Sequence, residues 1–225
     1  MCARIIHWTA VVTCLSWSPL CLAGDVLFED DFEDGLSSKW QAVGLKKEDY
    51  RIRNGGLELR VHPGKLTRLT PMLKVVLPFT SSDTVVASVD VTVLDRFTEP
   101  AEFGGMFLTA ERGVEFGVKK RRLNGHLVFS PGNVEFIGEP GEEGDPARYT
   151  LRFRPADEDA GPLRIIVRSN YAHFQVGPSS KGKYLNFFHS AIRKNEKERG
   201  FSLVAAGGPD DADHWVRFDN FRVSK

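Results

Sequence analysis

Residues 214–223, HWVRFDNFRV, decide how the rest of the chain is read. Trp215, Arg217, Asp219, Phe221 and Val223 fall on one face of an extended segment, and Val216, Phe218, Asn220 and Arg222 on the other, with bulky β-forming side chains on both. The segment is a strand with neighbours. Its expected partner is at the other end, where Val26-Leu27-Phe28-Glu29-Asp30-Asp31-Phe32 is short, β-prone and carries carboxylates in its middle. If the two pair, the ends of the chain close the fold.

Outward from this pair, alternation and turn chemistry predict more strands. Residues 50–53 and 57–61 flank Asn54-Gly55-Gly56, whose residues accept the positive φ of a tight hairpin turn. At 84–95, TVVASVDVTVLD, Val85, Ala87, Val89, Val91 and Val93 share one face and a mixed set the other, so one side is core and the other half wet. Further strands are expected at 104–110, 114–120, 127–130, 134–137, 149–154, 163–168, 171–176 and 201–205, with hairpin turns at Asn124-Gly125 and Ser169-Asn170. Only 185–199 has helical spacing, through Leu185, Phe188 and Ile192, stopped by Gly200. Many short strands with almost no helix predict an all-β, two-sheet antiparallel β-sandwich.

Residues 1–23 stand apart. Arg4, an apolar run from Ile5 to Leu15 and then Cys21-Leu22-Ala23 have the three-part layout of a secretory signal peptide, with cleavage expected after Ala23. A membrane anchor needs about 20 apolar residues, and this run is shorter. Residues 24–225 are then a single exported domain, periplasmic or extracellular. All three cysteines, Cys2, Cys14 and Cys21, fall in the removed segment, so the mature chain has neither disulfide nor thiolate chemistry. The whole chain has 30 basic and 30 acidic side chains and the signal contains only Arg4, which leaves a near-neutral domain without the basic excess of a nucleic-acid binder. A monomer is expected.

The ends also carry a resemblance. Leu27 to Gly35 with Lys39-Trp40, Arg53 to Leu59, and Val216 to Val223 resemble the opening, early hairpin and closing strand of concanavalin A-like jelly rolls, in particular glycoside hydrolase family sixteen. The related secreted 3-keto-disaccharide hydrolase domains are similar at the same ends. The resemblance implies a sandwich that binds saccharide on its concave face, or a glycan-processing enzyme, glycoside hydrolase or 3-keto-glycoside hydrolase or lyase. An envelope scaffold or protein-interaction module is a third reading, because function lives in sites rather than folds.

Glycosidic cleavage needs two carboxyls on one face, one of them kept protonated. The nearest candidates are Glu111 and Glu115, at i and i+4, although Arg112-Gly113 between them reads as a turn. For stacking on the apolar faces of sugar rings the candidates are Trp40, Tyr171 and His173, although the commoner role for Trp40 is to cover the seam where the terminal strands meet. Family sixteen also holds a structural calcium ion, and its ligands map onto the Asp219 side chain, with Asp31 nearby, and the Gly55-Gly56 backbone. Carboxylate plus carbonyl oxygens suit that hard cation. The other arrangement open to Asp219 is a salt bridge with Arg217 or Arg222.

Overall fold

The computed structural model describes residues 24–67, 69–80, 82–110, 113–123, 126–133, 154–155, 161–169, 171–177, 183–192, 199–211 and 213–225. The signal segment, Glu111, and the predicted strand at 134–137 lie outside these residues, as does all but the last residue of the one at 149–154. The described strands are β1 (Val26–Asp30), β2 (Gln41–Val43), β3 (Tyr50–Arg53), β4 (Gly56–Arg60), β5 (His62–Pro63), β6 (Met72–Val76), β7 (Thr84–Val93) and β8 (Phe103–Ala110), followed by β9 (Gly113–Leu123), β10 (His126–Asn133), β11 (Arg154–Pro155), β12 (Gly161–Arg168), β13 (Tyr171–Val176), β14 (Leu185–Ala191), β15 (Gly200–Gly208) and β16 (Trp215–Ser224).

They form two sheets, as the alternation predicts. The first has the order β14-β13-β12-β7-β16-β4-β3, with β1 also on β16; the second has the order β11-β10-β9-β8-β15-β6-β2, with the short β5 on β15. Pairing is antiparallel except for β5 with β15. The predicted closure is present, with Phe28 opposite Val223, Glu29 opposite Arg222 and Asp30 opposite Phe221. The early hairpin turns where expected, with Asn54 at φ 51° and Gly55 at φ 69°.

Alternation builds the core. Val85, Ala87, Val89 and Val91 of β7, Leu163, Ile165 and Val167 of β12, and Ala172, Phe174 and Val176 of β13 point inward against Leu73, Val75, Met106, Leu108, Val118, Phe201 and Leu203 of the second sheet. At the seam, Trp40 packs edge-on to Phe28 and Phe221, with ring centroids 5.6 and 4.9 Å apart, and lies over Phe32. Its indole Nε1 donates to Asp30 Oδ2 at 2.8 Å.

Two expectations are corrected. Strict alternation would put Phe218 and Phe221 on opposite faces of β16, yet both are buried in the one core. A bulge between Asp219 and Arg222, with Asn220 left-handed at φ 51°, shifts the phase by one residue. Asn tolerates that conformation better than most residues. The bulge falls where β16 passes from pairing with β4 to pairing with β1. Residues 185–191 are a strand rather than a helix. Phe188 stacks on Phe174 with centroids 4.2 Å apart, and the register shift between Phe174 and Gln175 leaves Phe187 as the extra residue, buried beside them. That bulge produced the helix-like spacing of apolar residues. Strands β2, β5, β6 and β14 were not expected from sequence.

Candidate functional site

The outer faces of the two sheets differ. On the second sheet the outward positions of β8 and β15 are themselves buried, since Phe103, Phe107, Val204 and Ala206 form a second apolar cluster with Met72 and Val114. Lys119 Nζ stands 4.5 Å above the Phe103 ring, and Thr109 Oγ1 bonds Ser202 Oγ at 2.8 Å. On the first sheet, the edge made by β12, β13 and β14 is open. There Tyr171, His173 and Gln175 alternate with the buried Ala172, Phe174 and Val176, so the strand period itself aims them outward.

The antiparallel register extends this row across three strands. His173 faces His189 on one side and Ile166 on the other, and Gln175 faces Asn186 and Arg164. The imidazoles of His173 and His189 are 6.1 Å apart between centroids. Gln175 Nε2 donates to Asn186 Oδ1 at 2.7 Å, and the Arg164 guanidinium lies 4.7 Å from the Tyr184 ring. Burial pushes the Tyr184 phenol above its usual range, partly countered by Arg164, so it stays a neutral donor. Tyr171 has 46% of its surface exposed. These residues make a platform of two imidazoles, tilted 39° to each other, and a phenol, bordered by an amide pair and a guanidinium. Such a surface offers both π faces and directional hydrogen bonds.

Of the residues proposed from sequence for sugar stacking, Tyr171 and His173 thus stand together, whereas Trp40 is buried in the seam and offers no face to a ligand. The covalent chain order concealed His189, Asn186 and Tyr184, because the segment that bears two of them read as helical. Glu115 lies on β9, in the other sheet, with its side chain half buried; its partner for cleavage, Glu111, is outside the described residues.

Where the resemblance assigns calcium to Asp219 and the Gly55-Gly56 backbone, Asp219 and two other turn carbonyls, those of Arg53 and Asn54, converge on a side chain. Arg217 Nη2 donates to Asp219 Oδ2 at 3.0 Å and to the Asn54 carbonyl at 2.7 Å, and Nη1 donates to the Arg53 carbonyl at 3.2 Å. Asp219 Oδ1 accepts the Asn220 N–H. The guanidinium thus occupies the place between the turn and Asp219 Oδ2, and a calcium ion does not fit at that point beside its positive charge. Asp31 borders a cleft of about 490 Å³ that Glu29, Asp34, Asn220 and Arg222 also line, and its Oδ1 accepts the N–H of Glu33, whose side chain lies beside Gly55.

Two further pairs of titratable groups occur at one end of the sandwich. Glu102, wholly buried, accepts from Thr98 and Glu99 through Oε1 and contacts His214 Nδ1 through Oε2 at 3.0 Å. Asp49, also buried, accepts the Lys46 N–H and an Arg60 N–H, and His62 Nε2 stands 3.5 Å from its second oxygen. Burial alone would raise the Asp49 carboxyl; the Lys46 N–H, Arg60 and His62 outweigh it and hold the group below its usual range. Burial depresses His62, against the pull of Asp49.

No family model matches the chain, and no curated protein sequence matches it. Solved structures do. The GH43B protein of the Bacteroides ovatus xyloglucan PUL superimposes with a TM-score of 0.63 at 13% identity, over 87% of this chain and 38% of its own. A xylan β-1,4-xylosidase from Bacillus halodurans gives 0.60 at 12%, over 88% of this chain and 39% of its own. The CBM2 module of the evolved Dit of a Lactobacillus casei phage gives 0.58 at 11%, over 89% of this chain and 95% of its own. This chain therefore spans about two fifths of the length of the two hydrolases. At such identities the likeness is one of fold, the two-sheet β-sandwich, and it does not single out family sixteen.

Proposed function

We propose that this protein is an exported saccharide-binding β-sandwich without hydrolytic activity, and that a glycan lies across the open edge of the first sheet over β12, β13 and β14. The observation that carries this is the outward row Tyr171, His173, His189 beside the Gln175–Asn186 amide pair and the Arg164–Tyr184 stack. Sugar rings present apolar C–H faces to π surfaces and hydroxyls to planar amides and guanidinium groups, and this surface supplies both. Among the described residues the outward members of these rows include no carboxylate, and the nearest one named, Asp90 of β7 beside Tyr184, is bonded to Asn220, so recognition rather than an acid pair for glycosidic cleavage is what these side chains support. Kinship of fold with a CBM2 module and with the sandwich portion of two glycoside hydrolases supports the same class of ligand. Export is supported by the signal-like residues 1–23.

The test is a glycan array combined with a hydrolysis screen. Retention of a polysaccharide without release of product is expected, and each of Tyr171→Ala and His173→Ala should weaken it about 2–10-fold, the worth of one stacking contact. Because Tyr171 is 46% exposed, its truncation should leave the melting temperature unchanged. Undiminished binding by the Tyr171→Ala/His173→Ala double variant would refute the location, and product release would refute the binding-only role.

A further inference from the structure

We infer that Arg217 is the resident cation of the terminal seam, and that its guanidinium ties the early hairpin turn to the closing strand in place of a metal ion. Three oxygens converge on it from two parts of the chain more than 160 residues apart: the Arg53 and Asn54 carbonyls of the turn and the Asp219 carboxylate of β16. A planar fork with several N–H donors matches this arrangement, and it needs no coordination shell of six to eight oxygens.

The seat is built for the group. A Cβ added at Gly56 would lie 2.5 Å from Arg217 Nε, 2.6 Å from Cζ and 2.7 Å from Nη2, so the guanidinium rests flat on the Gly56 backbone. Gly56 does not have a positive φ, and the need for glycine there is one of close approach rather than of turn geometry. Both charges are mostly withdrawn from water, the Arg217 side chain being 21% and the Asp219 side chain 29% exposed, so the pair is less screened than a surface salt bridge. The permanent charge of the guanidinium makes the clamp independent of any ion in the medium, an advantage for a domain that meets chelating or calcium-poor surroundings.

Thermal melting of the purified protein in excess EDTA and in excess CaCl₂ tests this. The parent protein should melt at the same temperature in both. Arg217→Ala should melt about 5–10 °C lower, and CaCl₂ should restore part of that loss, because the vacated carbonyls and Asp219 are then free to take a cation. Arg217→Lys should fall between, keeping the charge without the fork. Gly56→Ala, which removes no polar group but pushes the guanidinium off its seat, should show a similar loss and provides the test if Arg217→Ala does not fold. A parent melting temperature that falls in EDTA or rises in CaCl₂ would overturn the inference. So would Arg217→Ala and Gly56→Ala variants as stable as the parent.

Discussion

Trp40 separates a structural from a ligand-binding role by magnitude. Truncation to alanine removes an indole that is 7% exposed, contacts Phe28, Phe32 and Phe221, and donates to Asp30. Deleting a buried Trp costs about 3–5 kcal/mol through lost transfer energy and the cavity left behind. Trp40→Phe keeps a ring against Phe28 and Phe221 and loses the bond to the carboxylate, worth about 1.5–3 kcal/mol. Asp30 retains the Phe32 and Ser37 N–H donors, which places the expected cost at the lower end of that range. For a domain of this size each kcal/mol lowers the melting temperature by about 2–4 °C, so alanine should cost roughly 10–15 °C and phenylalanine roughly 3–6 °C. Urea unfolding followed by far-ultraviolet circular dichroism measures both, and glycan affinity per folded molecule should be unchanged. A Trp40→Ala loss below about 1.5 kcal/mol, or loss of glycan binding at full stability, would refute the core assignment.

Acidification should act through His62 and Asp49 in two windows. His62 titrates below 6.5 in the fold, so the unfolded chain takes up its proton first and stability falls as pH drops from about 6.5 toward the folded value. Asp49 titrates below 3.8 in the fold; its contribution is complete above that pH and disappears as pH falls through the folded value. Urea midpoints measured from about pH 7.5 to 3 should show the upper slope flattened in His62→Gln, and an unchanged slope would count against the burial of a neutral imidazole. Gly207→Ala should be severely destabilising, by about 3 kcal/mol or more, because φ is +90° and the new Cβ would stand 2.0 Å from the Ala101 carbonyl oxygen. Gly35→Ala, with φ +104° and open space around it, should cost only the backbone strain of about 1 kcal/mol; equal losses at the two sites would contradict this account.

The fold was legible where one face of a strand repeats without interruption. Residues 84–93 and 163–168 show their buried face directly, and the Asn54-Gly55 turn follows from the φ values its residues accept. Bulges were not legible, because an extra residue shifts the period and copies another. At Asp219-Asn220 it brought Phe218 and Phe221 to the same face, and at Phe187 it produced the spacing of a helix. The candidate site was legible to the same extent: Tyr171 and His173 alternate within one strand, whereas His189 joins them only through a cross-strand register that the misread helix concealed. Glu102 and His214, which are 112 residues apart, leave no local trace of their contact. The salt bridge of Asp219 with Arg217 was visible as one of two options, and what chose between them was the bare backbone of Gly56.

The platform and the seam lie in different parts of one sheet and meet through Asp90 of β7, which accepts from Asn220 Nδ2 at 2.9 Å and whose charge reaches Tyr184; the Tyr171–His173 row lies farther off. Between β13 and β16 stand β12 and β7, so three interstrand steps of about 4.8 Å put the Tyr171–His173 row roughly 14 Å from the closing strand. That exceeds the distance of about 7–10 Å beyond which substitutions usually act independently. The seam aromatics, Arg217 and the bulged strand then set the stability of the domain, while the edge strands bear a surface whose outward side chains can change without loosening the core. A sandwich closed by its own ends can in this way keep the same interior while the chemistry of its edge is exchanged, consistent with similar sandwiches appearing both within much longer hydrolases and as a nearly whole CBM2 module.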